Sequence, residues 1–171
     1  MAKSWLNIFS KAKDDNSKSI DSAVANEQET LNDIGKLLWA IFPEEAEYII
    51  FEGQLYPQDW SSRITFERKD GSIYWNDEAP SHDYIDGIFE LLKKLRNTKM
   101  FSKDEFTQVN IRLSSEKKIE TKFAYISEGN RWPGLFMRGV SDLTEEELKK
   151  FYVPKKDWEV RLAKFGTSDI G

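Results

Sequence analysis

The sequence predicts an α+β domain, with helices packed on one face of an antiparallel sheet of about five strands and a mixed segment at the C-terminus. Three features carry that reading. Apolar residues recur at helical spacing in two stretches, Leu31–Ile41 and Ile85–Leu95. Between Phe106 and Ile126 they alternate with polar residues instead, the pattern of half-buried strands. In ITFERKDGSIYW, Asp70-Gly71 sits between alternating apolar residues, which is the strongest short-range signal for a hairpin. The element order then reads helix, three strands, helix, two strands.

Residues 1–19 read as an N-terminal tail or docking segment, in which Trp5, Leu6, Ile8 and Phe9 precede the charge-mixed run KAKDDNSKS. Residues 20–171 read as a single domain. Its first helix is expected over 22–42, with Leu31, Ile34, Leu38 and Ile41 as the stripe, Leu37 and Phe42 widening it, and Asp21 or Ser22 as the cap. Pro43 ends it, because the residue before a proline is driven out of the helical region. A strand follows over Glu47–Tyr56. A four-residue loop, Pro57–Trp60, would set Phe51 opposite Phe66 and Gly53 opposite Ile64, keeping Ile49, Phe51 and Leu55 on the apolar face. At Asp70-Gly71 a two-residue type I′ loop would set Phe66 opposite Trp75 and Arg68 opposite Ile73. Ile64, Phe66, Ile73 and Trp75 then share the covered face, and Tyr74 lies on the polar one.

Ser81 is placed to cap a second helix over 82–97. Its stripe is Ile85, Ile88, Leu92 and Leu95, broadened by Phe89 and Leu91, with Asp83 and Asp86 early and Lys93, Lys94 and Arg96 late, as the helix dipole favours. On the strand 106–114, Thr107, Val109, Ile111 and Leu113 face one way. Ile119, Thr121, Phe123 and Tyr125 match them on the return strand 118–126, across the turn SSEK. The sheet's other face is polar and carries Thr65, Glu67, Arg112, Glu120 and Lys122. Beyond the loop SEGNRWPG, Ser141 or Thr144 is expected to begin a short helix, TEEELKKFY, closed by Pro154. KKDWEVRLAKFG reads either as a sixth strand or as a helix with Trp158, Leu162 and Phe165 on one side; helix is preferred.

Composition narrows the function classes. A chain of 171 residues, 39% hydrophobic and 32% charged, can build one core, and its 6 Trp, 6 Tyr and 11 Phe bury much area each. The net charge of −5 argues against non-specific nucleic-acid binding, which depends on Lys and Arg neutralising phosphates, and suits a basic protein partner. Without cysteine, disulfides, zinc–thiolate sites and thiol nucleophiles are excluded. No run has the length of a signal h-region or a bilayer span, so a cytoplasmic protein without membrane contact is expected.

Catalytic groups are sparse. His82, the single histidine, could serve as a base with Asp83 or Asp86, but an exposed first-turn residue is the simpler reading. Neither a G-x-S-x-G elbow nor a phosphate-binding glycine loop is present. The acids Glu44, Glu45 and Glu47, and Asp77, Glu78 and Asp83, match no EF-hand spacing. The expectation is no enzyme, no cofactor and no metal. Trp60 beside Asp59 in the first loop, Trp132 in RWPG and Tyr74 are the aromatics that suit a binding surface.

Several strings, taken in order, resemble one family. LLWAIFPEEAEYIIFEGQLY is similar to the opening of the YezG-like immunity proteins of bacterial polymorphic toxin systems, where a helix ending in an aliphatic-Pro-Glu-Glu string leads into the first strand. ITFERKDGSIYWNDEAP resembles that family's hairpin and acidic turn, YIDGIFELLKKLRN its long second helix, and FTQVNIRLSSEKKIETKFAYI its terminal hairpin. The likeness covers about residues 31–126. It implies a cytoplasmic protein that binds a cognate toxin domain, often a nuclease, and neutralises it by occluding its active surface. An acidic protein steers readily onto a basic nuclease cleft. The contacts chosen on charge and expected exposure are the acidic turn (Asp77, Glu78, Asp83), the first loop (Asp59, Trp60) and Glu52. Two other classes stay open: an adaptor for a peptide or protein unrelated to toxins, and a small hydrolase using His82.

Overall fold

A computed structural model describes residues 17–75, 82–103 and 105–167, with the side chains of the first helix from Asn26 onward. In chain order the elements are α1 (Ser17–Ala40), β1 (Tyr48–Tyr56), β2 (Asp59–Glu67), β3 (Ile73–Tyr74), α2 (His82–Arg96), β4 (Gln108–Ser114), β5 (Ile119–Ala124) and α3 (Lys155–Phe165). The strands form one antiparallel sheet in the order β3-β2-β1-β4-β5. The expected α+β architecture is the observed one.

The helical stripes meet the sheet as their spacing requires. Ile34 and Leu38 of α1 and Ile88, Phe89, Leu92 and Leu95 of α2 are buried against Ile49, Phe51 and Leu55 of β1, Phe66 of β2, and Val109, Ile111 and Leu113 of β4. Each large side chain removed from water here contributes about 1.5–3 kcal/mol before entropy is counted. Phe51 and Phe89 join sheet to helix edge-on, with ring centroids 5.8 Å apart. The helices pack closely at Gly87, where a Cβ would lie 3.1 Å from Leu37 Cδ1. The connection after α2 reads as polar, yet Phe101 is buried and stacks within 4.9 Å of Phe106 and 4.8 Å of Phe123. A ring that closes the end of the core leaves no periodicity to detect.

Two registers differ from expectation. β1 and β2 are joined by the two residues Pro57-Gln58, with Tyr56 opposite Asp59, Phe51 opposite Ile64 and Gly53 opposite Ser62. The slip is an even one, so every side chain keeps its face. At the second hairpin the slip is a single residue. Phe66 pairs with Tyr74 and Glu67 with Ile73, and the Arg68 N–H donates to Ser72 O at 2.9 Å. The loop is Lys69-Asp70-Gly71, with Gly71 at φ 79° and the Asp70 carboxylate accepting the Ser72 N–H at 2.9 Å. Asp-Gly serves a three-residue loop with a left-handed glycine as well as it serves a type I′ turn. Tyr74 therefore takes the core face, its ring 5.4 Å from Phe66, while Ile73 and Trp75 stand 60% and 61% exposed on the other.

The C-terminal segment departs most from the sequence reading. TEEELKKFY is a string of turns, not a helix; the Glu147 N–H reaches Thr144 O and the Tyr152 N–H reaches Lys149 O, and Tyr152 is left-handed at φ 54°. KKDWEVRLAKF is helical, as preferred. Leu135, Val140, Leu143, Leu148 and Val153 make a second small core with Trp132, Phe151 and Trp158 around it. Both indoles are fixed by 2.9 Å hydrogen bonds, Trp132 Nε1 to Phe151 O and Trp158 Nε1 to Leu143 O. This unit covers one end of the polar sheet face, where Gln54 Nε2 donates to Leu135 O at 2.7 Å and the Tyr56 hydroxyl to Ile126 O at 3.0 Å. The sheet is thus covered on both faces at that end and on the helix face alone at the other. Tyr125, expected with the inward set, lies past the end of β5 and is 61% exposed.

Candidate functional site

The uncovered half of the polar face is built from alternate residues of the strands. Glu52 of β1 sits opposite Arg63 of β2 and Asn110 of β4, and its Oε2 accepts Arg63 Nε at 2.7 Å. Glu67 accepts Arg112 Nη2 at 2.9 Å, and that guanidinium lies 3.6 Å from the centroid of the Tyr48 ring. These opposite charges, paired between neighbouring strands for Glu52 and Arg63 and over the intervening β1 for Glu67 and Arg112, stabilise the sheet and cancel one another's field. The face is polar but locally neutral.

The expected contact residues scatter around this frame. Glu52 is half-buried in the Arg63 pair, so it is not a free acid. Asp59 opens β2, and its Oδ2 accepts Arg131 Nη1 at 2.8 Å. Trp60 belongs to β2 and not to a loop. It faces the helices, its ring centroid 4.4 Å from that of Phe89, and remains 44% exposed. Asp83 is exposed in the first turn of α2. Asp77 and Glu78, like the proposed cap Ser81, lie outside the described residues. Glu52 and Asp59 therefore share the polar face, each neutralised by an arginine, while Trp60 and Asp83 belong to the helix side. Tyr74 is on the core face, and Trp132 anchors the C-terminal unit. His82 is exposed at the start of α2, and among the described residues no His, Asp and Glu side chains gather in a metal-binding group.

One concave feature among the described residues was not visible in the sequence. Beside the outer edge of β2 lies a groove of about 460 Å³, lined by Ser61, Arg63, Ile64, Trp75, Pro133 and Phe136. Arg63 stacks over Phe136, 4.9 Å from its centroid, which joins the sheet to the C-terminal wall. Trp75 is exposed here because the hairpin closes in its three-residue register. A three-residue reading of KDGS would have put Trp75 outward, but nothing local in the sequence could bring Pro133 and Phe136 beside it.

Among the groups whose proton affinity is shifted, Tyr56 and Glu147 bear on how the C-terminal unit is held. Burial raises the Tyr56 phenol above its usual range, against the bonds it makes to Gln108 and Thr107, so it stays a neutral donor to Ile126 O. Glu147 is held at about 2 by the Arg138 guanidinium and the Thr144 N–H. Both are groups of the C-terminal unit and its seat, and they hold it in place. No protein-family model matches the chain, and no curated protein matches it in sequence.

Proposed function

We propose that this chain is an immunity protein that binds a cognate toxin domain, with a basic nuclease domain as the best-fitting class, and neutralises it by occupying its active surface. The observation that carries the reading is the ordered resemblance of residues 31–126 to the YezG-like immunity family. The net charge of −5 supports it, since an acidic binder is drawn to a phosphate-binding cleft. The half-open sheet face and the groove beside Trp75 give such a partner somewhere to sit. Occupancy requires no turnover and no cofactor, and the cytoplasm is where a toxin made by the same cell or its siblings would meet it.

Co-expression with the product of the adjacent gene tests the reading. Growth should be rescued and a stable complex isolated; a neighbour that is neither toxic nor bound would remove it. Reversing Asp77, Glu78 and Asp83 to lysine should slow association about tenfold at low salt and flatten its salt dependence. An unchanged rate would clear those three acids of a role. His82→Ala should leave protection intact. The groove equally suits an adaptor for an unrelated protein, and the identity of the neighbouring gene separates the two.

A further inference from the structure

β5 closes the sheet on the side away from β3, and among the described residues no strand pairs with its outer edge. The ladder to β4 fixes which main-chain groups face outward. The Ser114 N–H donates to Lys118 O at 2.9 Å and the Thr107 N–H to Ala124 O at 3.0 Å, which turns Lys118 and Ala124 toward β4. Direction alternates along a strand, and the N–H and C=O of Ile119, Thr121 and Phe123 therefore point away from the sheet. The side chains alternate as well. Ile119 and Phe123 are half-buried on the helix side, packed against the larger core. Glu120 and Lys122 stand exposed on the polar face, and among the described residues neither makes an ion pair. Read in opposite directions about Thr121, the strand complements itself: Glu120 meets Lys122, and Ile119 meets Phe123.

We propose that the outer edge of β5 pairs with β5 of a second copy of this chain, antiparallel and about a two-fold axis through Thr121, joining the two sheets into one. In this register Thr121 bonds to its own counterpart, and Ile119 exchanges both main-chain bonds with Phe123 of the second copy. Every outward group from 119 to 123 is then satisfied. Glu120 and Lys122 fall at the intervening positions, where opposed Cα atoms come within about 4.5 Å and side chains approach closest. The interface carries two such pairs, one on either side of the axis. Charge closes the alternative registers. Outward groups must meet outward groups, which allows the register to shift only in steps of two residues. An axis through Glu120 would set that acid against itself and Lys118 against Lys122; an axis through Lys122 would set that lysine against itself. Lysine on an edge strand ordinarily discourages pairing, and here it selects a single register. The same charges choose the occupant, because a second copy brings both signs in the order the edge requires. The pairing stands apart from the immunity reading and uses the opposite edge of the sheet from the groove.

Sedimentation velocity of the full chain at about 100 μM should show a dimer, since a contact of this size holds in the micromolar range. Glu120→Lys and Lys122→Glu, both at exposed positions, should each weaken dimerisation by about tenfold or more, because two attractions become two repulsions. The Tm measured in dilute solution should not change. An equimolar mixture of the two variants should recover the dimer, since every charge then meets its opposite again. Hydrogen exchange at the Ile119, Thr121 and Phe123 amides should slow as the concentration of the wild-type chain rises. A wild-type chain that stays monomeric, a dimer that both reversals leave intact, or a mixture no better than its components would overturn the proposal. Outward amides already protected in the monomer would overturn it too, and would give the edge to a segment of the same chain such as residues 1–16.

Discussion

Gln108 is fully buried, and its amide is used at both ends: Nε2 donates to the Tyr56 hydroxyl at 3.2 Å and Oε1 accepts the Met137 N–H. Replacing it with leucine keeps the volume but strands a backbone donor in the seat of the C-terminal unit. Gln108→Leu should cost about 1–3 kcal/mol in urea unfolding, more than a substitution at the half-buried Asn110 of the same strand. Glu147 makes a pH-dependent contribution. Its folded value of about 2 lies below the ordinary 4.5, so its stabilisation is complete above pH 4.5 and fades as pH falls toward 2. Glu147→Gln should therefore cost about 1–2 kcal/mol at neutral pH, a figure reduced because the pair is partly exposed. The gap to wild type should narrow as unfolding is repeated at progressively lower pH; a constant gap would mean that the charge is not what matters.

At the scale of elements, the hairpins show what patterning settles and what it leaves to loop geometry. The period of two in β1 fixed which side chains face the helices, and an even slip in register left that intact. At Asp70-Gly71 the same pattern tolerated two closures of opposite consequence, because Ile73, Tyr74 and Trp75 are all large and apolar enough for either face. Gly71→Ala tests the observed closure. Nothing lies within 4 Å of the added Cβ, so the penalty is that of the left-handed backbone at φ 79° alone, about 1 kcal/mol. A neutral substitution would show that the loop does not need that conformation. The stripes and the C-terminal ends of the first two helices were legible, since periodicity and a following Pro43 are local signals. But α1 begins at Ser17 and not at 22, so Asp21 and Ser22 fall inside it and not at its start. The turns over 144–152 were misread as a helix because their acids-first, lysines-last order mimics a capped one, and Thr144 and Glu147 do make the capping contact, the Thr144 N–H donating to Glu147 Oε2 at 2.9 Å.

Across the whole molecule, two cores share one sheet. The larger lies between the sheet and α1 and α2; the smaller is carried by residues 132–158 and seated on Gln54, Tyr56 and Gln108. Truncation after Ile126 would expose those three groups together with the apolar ring around them. The shortened chain, without α3, should keep the helical circular dichroism of α1 and α2 but melt earlier and bind a hydrophobic dye; an unchanged Tm would show the smaller unit to be energetically separate. The sequence by itself determined the α+β class, the order of the elements through β5 and the face of each stripe except that of β3, because helical and strand periodicity are properties of neighbouring residues. Only the tertiary structure decided that Glu52 and Asp59 are neutralised by Arg63 and Arg131, and that Trp75 stands exposed beside Phe136. Those relations join residues far apart in the chain, and no local pattern records a contact that exists only once the second core has closed over the sheet.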